Sequence, residues 1–84
     1  MTEVEIFSRE NCPLCDRAYA VLERVAEDIQ FVRKVTTLRP GGESHSEYLD
    51  HVPVVHVNGT FFSWHRLDEH ALREELSQRR EGTA

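Results

Sequence analysis

The sequence predicts an α/β fold: a four-stranded mixed sheet with helices on both faces, in the order β-α-β-(short α)-β-β-α. Three observations predict it. A β-branched run, a stretch of helical period and a second β-branched run follow one another between Glu3 and Thr36, and a helix joining two strands this closely implies a right-handed parallel βαβ unit. Asn58-Gly59 stands between two strand-like runs, the signal of a two-residue hairpin. The last stretch places apolar residues at helical spacing behind Asp68, a side chain suited to capping a helix N-terminus.

Element by element, Glu3 to Phe7 reads as a short strand with Val4 and Ile6 on one face. Ser8 to Asn11 is a polar loop. From Pro13 to about Asp28, Leu14, Ala18, Val21, Leu22, Val25 and Ile29 recur at helical spacing. Proline suits the first turn, where its missing N–H costs nothing. Gln30 to Thr36 is β-branched and aromatic, a second strand. Leu38 to Gly42 forms a turn, and Ser44-His45-Ser46-Glu47 is a capping-box pattern that starts a short helix through Leu49. Pro53 to Val57 and Thr60 to Trp64 are the hairpin strands. The final helix runs to about Arg80, with Ala71, Leu72 and Leu76 inward and Glu69/Arg73 and Glu75/Arg79 as i,i+4 pairs. Arg79 and Arg80 suit its C-terminal dipole, and Gly82 to Ala84 reads as a frayed tail. Glu5 is the misfit: on a central strand it points into helix-covered space, so it is expected near the strand's solvent end.

The 84 residues carry ten Lys+Arg against fifteen Asp+Glu, a net charge of −5. That balance argues against a nucleic-acid binder relying on phosphate neutralisation, and no basic stripe is present to hold an anionic membrane. Apolar residues and glycine are 35 of 84, slightly under the roughly 45–50% of ordinary globular chains. One small domain spanning 1–84 with a thin core is the expectation. No apolar run approaches the ~20 residues of a membrane span, and the N-terminus lacks a signal peptide's basic and apolar regions. The expected protein is soluble, cytoplasmic and monomeric.

The chemistry centres on Cys12-Pro13-Leu14-Cys15. A bridge closing so tiny a loop gains roughly 2 kcal/mol of chain-entropy stabilisation, against about 3 for a 15-residue loop, so stapling is a poor reason for the pair. Reactivity is a better one. The motif follows a strand and opens a helix, where free backbone N–H groups and the dipole's positive end favour a thiolate at Cys12. Cys12 is the exposed nucleophile, and Cys15, nearly one turn later, can resolve the mixed disulfide. Arg9 adds positive charge near the sulfur, and Asp16 opposes it. A metal site would need two more ligands, and His65 and His70 lie some fifty residues from Cys15; the expected metal content is none.

Val52-Pro53 is the second informative point. Proline at a strand start supplies no ladder donor, and X–Pro bonds are those that can be cis. In the cysteine context a cis Val52–Pro53 bond facing the Cys12 loop is predicted, leaving the Val52 backbone to pair with an extended partner segment. Five histidines fall between His45 and His70. His51 adjoins Val52 and is expected to face the cysteines, where a protonated imidazole would assist the thiolate. The other four read as solvated. Trp64 is core or rim packing or, if exposed beside Pro53, a partner-contact anchor.

On these residues the chain resembles the glutaredoxin group of the thioredoxin fold over nearly its whole length. Ile6 to Cys15 looks like that group's strand, basic residue and dithiol, and His51-Val52-Pro53 with Val54 to Gly59 is similar to its Thr-Val-Pro strand and hairpin. The resemblance implies thiol–disulfide exchange, with Cys12 attacking, Cys15 resolving and Pro53 cis. It also implies that Arg9 lies near a glutathione glycine carboxylate. Ser63-Trp64-His65-Arg66 stand where glutaredoxins carry Gly-Gly and Cys-Asp, and His51 replaces a threonine. Ser63-Trp64 instead looks like redoxins recharged by thioredoxin reductase. Cys-x-x-Cys-Asp with Leu67-Asp68-Glu69 looks most like the short glutaredoxin-like domain family.

The expected function is therefore a dithiol thiol–disulfide oxidoreductase acting through Cys12 and Cys15. Arg9, Pro13, Leu14, Val52, Pro53 and Trp64 form the substrate edge, and Asp16 and His51 tune the thiolate. The expected substrate is a disulfide-containing protein or small molecule. No cofactor is built in, and glutathione or a thioredoxin reductase supplies the electrons. Two other readings stay open: an inactive thioredoxin-fold binding module and a metal-binding regulator.

Overall fold

A computed structural model describes residues 1–42 and 45–82, with side chains through Gln78. The order is β1 (Glu3–Ser8), α1 (Pro13–Ala26), β2 (Val32–Thr37), a short 3-10 helix (Ser46–Asp50), β3 (Val54–Val57), β4 (Thr60–Trp64) and α2 (Glu69–Gly82). The strands form one sheet in the order β2-β1-β3-β4. β1 pairs in parallel with β2 and antiparallel with β3, and β3 and β4 form the hairpin. Asn58 and Gly59 both take positive φ (50° and 81°), as the tight hairpin turn requires. Asn58 also ties this turn to β1: its side-chain oxygen accepts from the Glu3 N–H, and its N–H donates to the Glu3 carbonyl.

Strand alternation divides the core in two. Val4 and Ile6 of β1 and Val55 and Val57 of β3 face α1 and α2, packing on Ala18, Leu22, Val25, Leu72 and Leu76. Phe7 and Val54 point the other way, into a smaller cluster with Cys12, Cys15, Leu38 and Val52, against which Tyr48 and Leu49 of the 3-10 helix pack. Both sheet faces thus carry helix, unequally: the two long helices share one face, and five residues of 3-10 helix cover part of the other.

That inequality resolves Glu5. It lies mid-strand rather than at a solvent end, on the thinly covered face. There Thr36 Oγ1 donates to its carboxylate at 2.9 Å, and Lys34 stands 3.9 Å away. The expected capping-box helix is also corrected. The segment is 3-10 and begins at Ser46; His45, in the left-handed region (φ 56°), occupies its N-cap without a side-chain capping bond. Ser44 lies outside the described residues, as do the side chains of Arg79 and Arg80 and residues 83 and 84 of the expected tail.

The remaining boundaries shift by one or two residues. β2 begins at Val32 rather than Gln30, and α1 ends at Ala26 with Glu27 as its C-cap. Asp68 caps α2 as expected, its carboxylate accepting from the Ala71 N–H at 3.0 Å. The ends of α1 and α2 are clamped by Arg73, which reaches Asp28 at 2.7 Å and Glu69 at 3.0 Å and donates to the Arg24 carbonyl. Arg24 also pairs with Glu69 at 2.8 Å.

Candidate active site

Cys12 is the N-cap of α1, in extended conformation, with Pro13 in the first turn. Its Sγ accepts from the Cys15 N–H at 3.2 Å, so the sulfur stands where a capping oxygen would, against donors the helix leaves unpaired. Cys12 and Cys15 are disulfide-bonded, with Cα atoms 5.2 Å apart. Cys15 is 1% exposed and Cys12 7%; Cys15 is the deeper of the two, and Cys12, expected to be exposed, shows only a small surface. Ser8 and Tyr19 hydroxyls, 2.6 Å apart, fasten α1 to the end of β1 next to the dithiol.

Val52 and Pro53 are buried, Val52 in the cluster that contains both cysteines, and the bond between them is cis. Val52 belongs to no strand, and among the described residues its backbone takes part in no hydrogen bond. Leu14 is 40% exposed, and Arg9, Pro13 and Asp16 are exposed as well. Leu14, Arg17 and Ala18 line one side of a cleft of about 170 Å³, and His65, Arg66 and Leu67 line the other. The cleft thus joins the helix bearing the dithiol to the β4–α2 connection.

Trp64 is 48% exposed and Phe61 51%, and a bulge sets their direction. Val55 pairs with Ser63 and His56 with Phe61, so Phe62 is the extra residue of β4. Phe62 turns to the helix-bearing face, while Phe61 and Trp64 both reach the thinly covered face, 5.6 Å apart and edge to face. Trp64 stacks on His51 at 4.4 Å. The Nδ1 of His51 pairs with Nε2 of His65 at 3.1 Å, so its ring is engaged by Trp64 and His65. His65 is exposed, as expected; its pairing with His51 joins residues 14 apart and has no local signature. Leu38, read as turn, lies in the cysteine cluster. Among the described residues no three His, Cys, Asp or Glu side chains gather round one point as metal ligands, and no helix is long and apolar enough to cross a membrane.

A helix-capping cysteine bonded to a partner three residues on, at the end of a β2-β1-β3-β4 sheet, defines a thioredoxin-fold protein and supports a thiol redox role. Residues 3–77 match the model of the Glutaredoxin-like domain family (DUF836), and the chain belongs to that family. Similar proteins include the uncharacterized protein Rv0508 of Mycobacterium tuberculosis and the uncharacterized protein Mb0520 of Mycobacterium bovis. Each is 28% identical over 83 residues, covering 90% of this chain and 84% of the relative. Among solved structures, glutaredoxin 1 from Francisella tularensis, complexed with cacodylate, superposes with a TM-score of 0.54. The match covers 96% of this chain and 99% of that one at 16% identity, and it establishes the fold.

Proposed function

We propose that this protein is a cytoplasmic dithiol thiol–disulfide oxidoreductase. The observation that carries the reading is Cys12 at the helix N-cap, bonded to the deeper Cys15, in one cluster with Val52. In the reduced protein the Cys12 thiolate attacks one sulfur of a substrate disulfide; the new Cys12–substrate bond forms as the substrate bond breaks, and one substrate thiolate leaves. The Cys15 thiolate then attacks Cys12 Sγ, forming the intramolecular disulfide and releasing the second thiolate. The substrate gains two electrons and the dithiol loses two. A thiol reductant, either glutathione or a thioredoxin reductase, returns them.

The substrate is a disulfide-bearing protein segment that lies extended against the Val52 backbone, with Leu14 and Trp64 as apolar contacts and Arg9 as a cationic one. Ser63-Trp64-His65-Arg66 stand where glutaredoxins carry Gly-Gly and Cys-Asp, with His65 and Arg66 lining the cleft, and glutathione alone is a poor reductant for that reason. In a reduction assay Cys12→Ser abolishes turnover, and Cys15→Ser accumulates a mixed disulfide detectable as added mass. Equal turnover by wild type and Cys12→Ser would end this reading. The exposed Phe61 and Trp64 favour a second reading, a docking module without turnover; reversible dithiol–disulfide cycling against a redox buffer separates the two.

A further inference from the structure

We propose that the paired imidazoles of His51 and His65 form a binding site for one divalent first-row transition-metal ion of the imidazole-preferring kind: Cu²⁺, Ni²⁺ or Zn²⁺. The distance between the two ring nitrogens is the starting point. His51 Nδ1 and His65 Nε2 stand 3.1 Å apart. Two nitrogens on one ion at about 2.0–2.1 Å, with an angle between square-planar and tetrahedral, stand about 2.9–3.4 Å apart. The pair stands at the spacing of a chelate, and because the nitrogens face each other along a hydrogen bond, both rings must turn for their lone pairs to converge on an ion. Without an ion, one imidazole N–H fills the gap and the facing nitrogen accepts it. An ion lies to one side of the line between the two nitrogens, and the donating ring then carries its hydrogen on the other nitrogen.

Two further features hold this geometry. His65 sits in the left-handed region (φ 65°), uncommon for a residue with a side chain, and its N–H donates to the His51 carbonyl at 3.1 Å. Backbone outliers of this kind cluster at ligand clamps. Trp64 confines both rings: its indole stacks on His51 at 4.4 Å and on His65 at 5.7 Å, with interplanar angles of 20° and 21°. Ring orientation, which in metal sites is set by surrounding contacts, is thus set here by one indole and one backbone bond.

Among the described residues no third His, Cys, Asp or Glu joins the pair. The remaining coordination positions therefore belong to solvent or to an exogenous ligand. Two neutral nitrogen donors without a carboxylate disfavour Ca²⁺ and Mg²⁺, which take oxygen ligands. Metal binding by this pair uses neither cysteine as a ligand and is read without dithiol turnover.

The test uses the full chain in its disulfide form, titrated calorimetrically with NiCl₂ and ZnCl₂ near pH 7.5, with Cu²⁺ electron paramagnetic resonance reporting nitrogen ligands. One ion per chain is expected. His51→Gln and His65→Gln each weaken binding at least tenfold, while His70→Gln leaves it unchanged. His65→Gly, which suits the left-handed backbone, removes the imidazole without opposing the local fold and gives the same loss. No saturable binding, losses within twofold for both histidine variants, or binding only after reduction of the dithiol would each overturn the proposal. Disulfide-reductase activity is assayed separately on metal-free wild-type protein, so that a failure of metal binding and a failure of the redox reading are told apart.

Discussion

Replacing Leu22 with alanine removes the centre of the contact between α1 and the sheet, and the structure sets the size of the effect. Leu22 is 0% exposed, among Val4, Ile6, Val25 and Val55. Three lost carbons at roughly 0.8 kcal/mol per buried methylene give about 2.4 kcal/mol. The incompletely collapsed void raises this to about 3–4 kcal/mol, inside the range of buried Leu→Ala changes. An 84-residue chain has about 4–13 kcal/mol to lose, and at its size each kcal/mol moves Tm by roughly 4–8 °C. Urea unfolding followed by circular dichroism should therefore show a much lower midpoint at unchanged slope, with Tm down by about 12–32 °C. Leu14, eight residues earlier on the same helix, is 40% exposed, and Leu14→Ala should cost under about 1 kcal/mol while slowing disulfide exchange. A Leu22→Ala protein destabilised by less than about 1 kcal/mol, with the slope unchanged, would refute the assignment of the core to this face.

Two other predictions rest on polar groups. Ser63 Oγ is buried without a hydrogen-bond partner among the described residues, so Ser63→Ala should be neutral or stabilise by up to about 1 kcal/mol in the same urea assay. The Arg24 hydrogen bond, followed by that of Arg73, holds the Glu69 carboxyl below its usual ionisation range. Its stabilisation is therefore present above the unfolded-state carboxylate range and lost as pH falls through the lowered folded value. A profile of Tm against pH should be shallower on its acid limb for Glu69→Gln than for wild type, with the two curves converging in strong acid.

Much of the scaffold was legible because its signals are local. Pro13 and the helical spacing behind it locate α1, Asn58-Gly59 locates the hairpin, and Asp68 locates the cap of α2. The cis Val52–Pro53 bond was legible only through the cysteine motif, since the dipeptide itself carries no such information. What escaped was set by packing between distant segments. Glu5 was misplaced because sequence cannot say that one sheet face carries only a 3-10 segment. The bulge at Phe62 is a register event between strands, and it alone decides that Phe61 and Trp64 share a face. The pairing of His51 with His65 depends on where the 3-10 helix and β4 end relative to one another, a distance no periodicity encodes.

The first strand lies inside the sheet: β1 has β2 on one flank and β3 on the other. During synthesis the first flank can close once β2 has emerged. The second waits for residues 54–57, and the roof over Val55 and Val57 waits for Leu72 and Leu76. A nascent chain therefore carries its two sulfurs, at 12 and 15, before Val52 and Pro53 exist to shelter them. Until the hairpin docks, the two sulfurs lack the cover that Val52 and Val54 supply in the folded cluster.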